Sequence, residues 1–136
     1  PGPSTSTAAE TVAYASAHFA GDERLLGEPA KRLMRRPEVE VGGDDGHYGL
    51  GFAVEDVGGR RLVGHGGGYP GHITRTLLDP MARLAVSVSI QAPKNGYYGG
   101  LVAGPPFRDI MSFALRSQGV PPTGAPSPVL RLRAGD

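Results

Sequence analysis

The sequence predicts an α+β domain: an antiparallel sheet of about four strands with its N- and C-terminal helices on one face. Three observations lead to that class. Apolar residues alternate strictly through Tyr48, Leu50, Phe52 and Val54, and again through Leu84, Val86, Val88 and Ile90, the period of a strand with one buried face. Short turn signals, Gly58-Gly59 and Asp79-Pro80-Met81-Ala82, separate consecutive strands and so require them to run antiparallel. Apolar residues at helical spacing precede the first strand and follow the last.

In chain order, residues 1–7 make a Pro/Ser/Thr tail expected to be flexible. Thr7-Ala8-Ala9-Glu10 fits a capping box, and Ala8, Val12, Ala15 and Phe19 continue it as a helix that Gly21 ends. A second short helix is expected to begin near Pro29, whose missing N–H is harmless in a first turn, and to stop before Pro37, burying Leu33 and Met34. Val41 to Gly46 reads as a Gly/Asp loop, and the alternating strand through Tyr48 to Val54 follows it. Arg60 to His65 returns antiparallel across Gly58-Gly59, Ile73 to Leu78 forms a third strand, and Leu84 to Ile90 a fourth. Pro93 to Gly104, rich in Gly, Tyr and Pro, is a loop. Pro105-Pro106 then opens a helix whose Phe107, Ile110, Met111, Ala114 and Leu115 form one apolar stripe, with Arg108, Ser112, Arg116 and Ser117 exposed. Gly119 terminates it, residues 8–120 are expected to form a single domain, and 121–136 an irregular Pro-rich tail.

Composition narrows the function classes. The 136 residues suffice for one modest core, and the 22 Gly and 13 Pro imply many turns. A formal net charge of +1 predicts no nucleic-acid partner. No apolar run approaches the length of a membrane span, and the N-terminus has no basic-then-apolar signal pattern. With no cysteine, disulfides, thiolate metal sites and a Cys nucleophile are ruled out. His47, His65 and His72 lack paired ligand spacing, so neither a metal nor a cofactor is expected. Lys31, Arg32, Arg35 and Arg36 make a basic helix edge followed by Glu38, Glu40, Asp44 and Asp45, the pattern of a solvated face. Tyr97-Tyr98 is read as a turn packed under the final helix.

The stretch from Gly64 to Gly71, Gly-His-Gly-Gly-Gly-Tyr-Pro-Gly, is the candidate site. If Leu62 and Gly64 share one face of a strand, His65 and Gly67 share the other. An imidazole then stands beside a position with no side chain, and Gly66 offers bare backbone to a substrate. On the residues alone, three roles stay open: polarising or binding a substrate group, acid/base chemistry, or a place in a turn.

Three segments in order, Tyr48-Gly49-Leu50-Gly51-Phe52, Gly64 to Gly71 and Leu77-Leu78-Asp79-Pro80, resemble the C-terminal part of the serine β-lactamase-related family. That family includes class C β-lactamases, D-amino-acid peptidases and related esterases. The resemblance spans residues ~8–90 and aligns His65-Gly66-Gly67 with the family's Lys- or His-x-Gly strand triplet. It implies that His65 faces the acyl-enzyme cleft as a catalytic-site residue, with Gly66, Gly67, Gly68 and Tyr69 along the substrate. A second resemblance spans residues ~84–128. Val86 to Ile90, Pro93 to Gly100, Val102 to Phe107, Met111 to Leu115 and Gly119 to Gly124 look like the last strand and final helix of division-type penicillin-binding transpeptidases. Those carry Lys-Thr-Gly where this chain has His65-Gly66-Gly67. The chain therefore reads as a hybrid of two cousins in one superfamily, forming a partial domain of β-lactamase/transpeptidase type. Family members are usually extracytoplasmic, and the implied ligand is an acyl-peptide or a β-lactam-like small molecule.

The superfamily's nucleophile is a Ser followed three residues later by Lys, and no serine here has Lys at that offset. The Tyr-x-Asn or Ser-x-Asn motif is absent as well, so both motifs are expected upstream of Pro1 and this chain alone is expected to be inactive. The α/β-hydrolase use of His-Gly-Gly-Gly as an oxyanion hole fails for want of a G-x-S-x-G elbow and of alternating β-α units. A non-enzyme alternative remains: a half-domain that holds a peptide or partner chain at its sheet edge, with self-association or a complementing N-terminal segment as its partner.

Overall fold

A computed structural model describes residues 6–41, 46–94 and 102–120. Both predicted terminal tails fall almost entirely outside the described residues, as does Tyr97-Tyr98. The elements are α1 (Ala8–Ser16), α2 (Glu28–Met34), β1 (Val39–Glu40), β2 (Gly46–Tyr48), β3 (Ala53–Val57), β4 (Arg60–Tyr69), β5 (His72–Asp79), β6 (Leu84–Gln91) and α3 (Gly104–Ser117). The α+β class is observed, with one antiparallel sheet in the order β1-β2-β3-β4-β5-β6.

The sheet has six strands where about four were expected. The alternation through Tyr48 to Val54 is not one strand. The chain reverses at Gly49 to Phe52, so that Tyr48 pairs back onto Ala53, and Gly51 takes φ 79 in this turn, a conformation other residues rarely adopt. Gly49 closes the turn, its N–H donating to Phe52 O at 2.8 Å. The Gly58-Gly59 hairpin forms as expected, with both residues at positive φ as a two-residue turn requires.

The helices do not share a face, which corrects the predicted layering. Cα partners lie on one face of a sheet, so the register sorts the core into two clusters. Ala15 of α1 packs with Phe52, Val54, Val63 and Leu78 on one side. Phe107 and Met111 of α3 pack with Leu62, Leu77 and Val86 on the other. The adjacent apolar pairs Leu62-Val63 and Leu77-Leu78 are the sequence signal for this, since a strand buried on both faces reads as a run rather than an alternation.

The capping box forms as read: Glu10 N–H donates to Thr7 Oγ1 at 3.2 Å and Thr7 N–H to Glu10 Oε2 at 2.8 Å. The end of α1 is tied to the β5–β6 turn. Ala20 N–H donates to Pro80 O at 3.0 Å, and Arg83 donates to Ala20 O at 2.9 Å with its guanidinium over the Phe19 ring. Three side chains depart from expectation. Leu33 is half exposed, Ile110 stands out of its stripe at 47% exposure, and Lys31, read as part of a solvated edge, is buried. The Lys31 ammonium donates to Phe19 O at 2.6 Å and Asp22 O at 2.5 Å and pairs with Glu28 at 3.1 Å.

Beside Lys31 the buried His18 ring meets Tyr14 and Phe52 edge-on, and its Nε2 has no hydrogen-bond partner among the described residues. Burial, then the charges of Lys31 and Arg35, push its pKa below the ordinary 6.5. Above pH 6.5 both folded and unfolded chains hold it neutral. As pH falls toward the lowered value the unfolded chain takes up a proton that the folded one refuses, so stability is lost across that window and the loss levels off below it. Carboxylates with depressed values, such as Asp22 held at about 2 by hydrogen bonds from Arg24, titrate at lower pH. The urea midpoint is expected to fall between about pH 7.5 and pH 5, and His18→Phe to flatten that slope.

Candidate functional site

The glycine stretch is not a loop after a strand but the second half of β4, continuing in register with β5 as far as Tyr69↔His72. Its other neighbour stops earlier: β3 pairs with β4 only up to Ala53↔Gly64. From His65 to Tyr69, β4 therefore has β5 on one side and no strand on the other among the described residues.

Which groups face that open side follows from the two hairpins. A two-residue turn closes on a hydrogen-bonded pair, and bonded and non-bonded pairs then alternate along an antiparallel ladder. Counting from Val57↔Arg60 gives Gly64 bonded toward β3, and counting from Tyr69↔His72 gives Gly67 and His65 bonded toward β5. Both counts turn the N–H and C=O of Gly66 and Gly68 outward, into the open edge.

The side-chain rows are as the sequence read them. His65 shares a row with Thr76 and Ser87, and Gly67 with Thr74 and Ser89, on the face that α1 covers lower down. These rows are polar: Thr76 Oγ1 and Ser87 Oγ lie 2.8 Å apart. His65 is exposed, with its Nδ1–H donating to the Gly66 carbonyl. A carbonyl only accepts, so this contact is made by a ring that carries a proton on Nδ1; in the neutral tautomer of that kind Nε2 is the acceptor. The Tyr48 ring, from two strands away, stands edge-on to the imidazole with centroids 5.6 Å apart and planes at 89°. In the sequence Tyr48 opens the first resembling segment, with nothing there to give it a role at the site. Its place beside His65 depends on the reversal at Gly49 to Phe52, which the alternation concealed.

The glycines differ in what requires them. A Cβ at Gly64 would lie 2.0 Å from Thr76 O and 2.8 Å from Leu77 Cα, so the packed sheet demands glycine there. At Gly66 the nearest atom to such a Cβ is Thr74 O at 3.6 Å, an ordinary contact, and at Gly68 nothing lies within 4 Å. Neither residue has positive φ. At Gly67 only the movable Thr74 Oγ1, at 2.7 Å, is close. Gly66 and Gly68 are thus unneeded by fold or packing, although glycine inside a strand is destabilising by roughly 0.5–1 kcal/mol relative to alanine. Tyr69 is 65% exposed and, with Gly68, His72, Ile73 and Pro93, borders an open hollow of ≈ 300 Å³ at the hairpin tip.

Behind the edge, on the α3 face, Arg75 holds Glu55 at 2.7 and 2.9 Å and lies over the Phe107 ring. This clamp joins β3, β5 and α3 across the side-chain-free position of Gly64 and steadies the sheet under the open strand.

No protein-family model matches the chain. Over 42 residues it is 55% identical to the probable peptidoglycan D,D-transpeptidase PenA of Neisseria flavescens, a match covering 30% of this chain and 10% of that protein. Over 78 residues it is 37% identical to the probable peptidoglycan D,D-transpeptidase PbpC of Pseudomonas aeruginosa, covering 53% of this chain and 14% of that protein. The chain thus contains a portion related to penicillin-binding transpeptidases, and it spans only a small part of the curated relatives it matches. Among solved structures, the crystal structure of SurE with D-Leu aligns with a TM-score of 0.59 at 24% identity, covering 90% of this chain and 28% of that one. That likeness concerns the fold alone.

Proposed function

We propose that this chain is the C-terminal portion of a penicillin-binding or β-lactamase-type serine acyl hydrolase or transpeptidase, carrying the His-x-Gly strand that holds an acyl-peptide in the cleft. One observation carries the reading: the Gly66 N–H and both backbone groups of Gly68 turn outward on an open strand edge where neither fold nor packing calls for glycine, while the Gly66 carbonyl accepts from His65. An extended acyl-peptide or β-lactam-like ligand would pair with those groups as an added strand, and His65 Nε2 would accept a proton or a hydrogen bond from it. The partial matches to peptidoglycan D,D-transpeptidases support this assignment. The β-lactamase-like resemblance of residues ~8–90, and the junction with a transpeptidase-like end, belong to the same proposal.

Because the sequence has no Ser-x-x-Lys, the chain by itself binds without turnover. Incubated with a fluorescent penicillin and run on a denaturing gel, it is expected to show no covalent band. Fluorescence polarisation is expected to show weak, reversible binding that His65→Ala abolishes. Gly68→Val is expected to leave the melting temperature within a few degrees and to weaken binding at least tenfold by filling the edge. A covalent band overturns the claim that the chain is inactive, and undiminished binding by both variants removes the site.

A further inference from the structure

We propose that Tyr48 is a positioning residue: its ring holds the His65 imidazole over the open strand edge, with Nδ1 on the Gly66 carbonyl and Nε2 left for the ligand. This rests on the function proposed above and adds the means by which one exposed side chain is kept ready.

His65 receives little support from its own strand. On its face of β4 the flanking positions are Val63, buried in the α1 core, and Gly67, which has no side chain. Across the ladder Thr76 is engaged with Ser87, 2.8 Å away. The Gly66 carbonyl takes the Nδ1–H. Alone, a bond to the next residue leaves an exposed ring free to turn back into water, and ordering it costs side-chain entropy. That carbonyl faces the open side, so a ring donating to it leans away from the Thr76 row and out over the edge. Tyr48 meets it there, edge-on, with centroids 5.6 Å apart and planes at 89°. A perpendicular approach is one that the quadrupoles of two aromatic rings favour.

The mount of Tyr48 is rigid. Its row continues through Ala53 and Gly64, the last pair of the β3–β4 ladder, so it stands level with the point where β3 leaves β4. Glu38 N–H donates to Tyr48 O at 3.0 Å, and Leu50 N–H donates to Met34 O at 3.0 Å, tying the reversal to the end of α2. The bend lies so close to α2 that a Cβ at Gly49 would run into the carbonyls of Met34 and Arg36. Phe52, at the far end of the bend, is buried with Ala15 and Val63. The Tyr48 ring thus stands on the core of the fold. The imidazole takes its direction from a fixed neighbour instead of waiting for a ligand to order it.

NMR of the labelled chain and the fluorescent-penicillin assay test this together. In the wild type, cross-relaxation is expected between the carbon-bound ring protons of Tyr48 and His65, and the neutral His65 ring is expected to carry its proton on Nδ1. Tyr48→Leu, folded by circular dichroism, is expected to return His65 to a mixture of tautomers and to weaken reversible penicillin binding about fivefold. Tyr48→Phe keeps the ring and is expected to retain the Nδ1 tautomer and to bind within about twofold of the wild type. Three results overturn the proposal: no Tyr48–His65 cross-relaxation, a folded Tyr48→Leu with unchanged His65 tautomer or penicillin affinity, or a Tyr48→Phe that binds as poorly as Tyr48→Leu. The first needs no variant, so it decides even where Tyr48→Leu does not fold. A wild type that binds no penicillin removes the proposed function, and the spectra then decide the placing of His65 by Tyr48 on their own.

Discussion

Gly64→Val is expected to prevent this chain from folding, or to lower its stability by roughly 4 kcal/mol or more, a large part of what a small domain possesses. Gly64 is buried, and the first atom of any side chain would sit 2.0 Å from Thr76 O and 2.8 Å from both Leu77 Cα and its Cδ2. Two of those neighbours are backbone atoms of β5, held on both sides by β4 and β6, so relief requires parting the central strands. Gly68→Val, four residues along the same strand, is expected to fold normally because its Cβ meets nothing within 4 Å. Urea unfolding of the pair separates glycines that build the sheet from glycines that leave it open. Equal losses at both positions would contradict that division.

Lys31→Met is expected to cost about 3 kcal/mol, although the methionine matches the length and apolar stem of the lysine. The ammonium is wholly buried, and removing it leaves Phe19 O and Asp22 O without their donor and Glu28 without one of its two cations. Arg32→Met on the next, exposed residue is expected to shift stability by no more than ~0.5 kcal/mol. Chemical denaturation of the two variants checks the contrast. It also bears on His18, whose lowered pKa owes part of its shift to Lys31: in Lys31→Met the loss of stability on acidification through that window should shrink.

These two residues mark where the sequence was legible and where it was not. Strand existence, the Gly58-Gly59 hairpin and the capping box rest on contacts between near neighbours, and alternation, Gly58-Gly59 and Thr7 to Glu10 record such contacts directly, whereas the two-residue turn at Pro70-Gly71 lay hidden in the glycine stretch. The reversal at Gly49 to Phe52 was hidden because a tight turn of Gly-Leu-Gly-Phe keeps the apolar period of the strand it interrupts. Lys31 was hidden for another reason. Nothing in Lys-Arg-Leu-Met says which cation turns inward; that choice is made by the carbonyls at the end of α1, remote from α2 in sequence. At the candidate site, the placing of His65 opposite Leu62 and Gly64 followed from strand parity alone. The open edge beside it did not, because it depends on where β3 stops.

The tie between the end of α1 and the β5–β6 turn also orders events in time. Ala20 and Arg83 are 63 residues apart, while the hairpins between them join near neighbours. On a ribosome α1 emerges before every strand of the sheet, yet the surface it rests on includes the β5–β6 hairpin, the last to be made. Its apolar stripe stays bare until synthesis reaches β6, and closing so distant a contact is slow compared with zipping a hairpin. Between the synthesis of α1 and that of β6 the helix is exposed to wrong partners, and the arrival of Arg83 ends that interval.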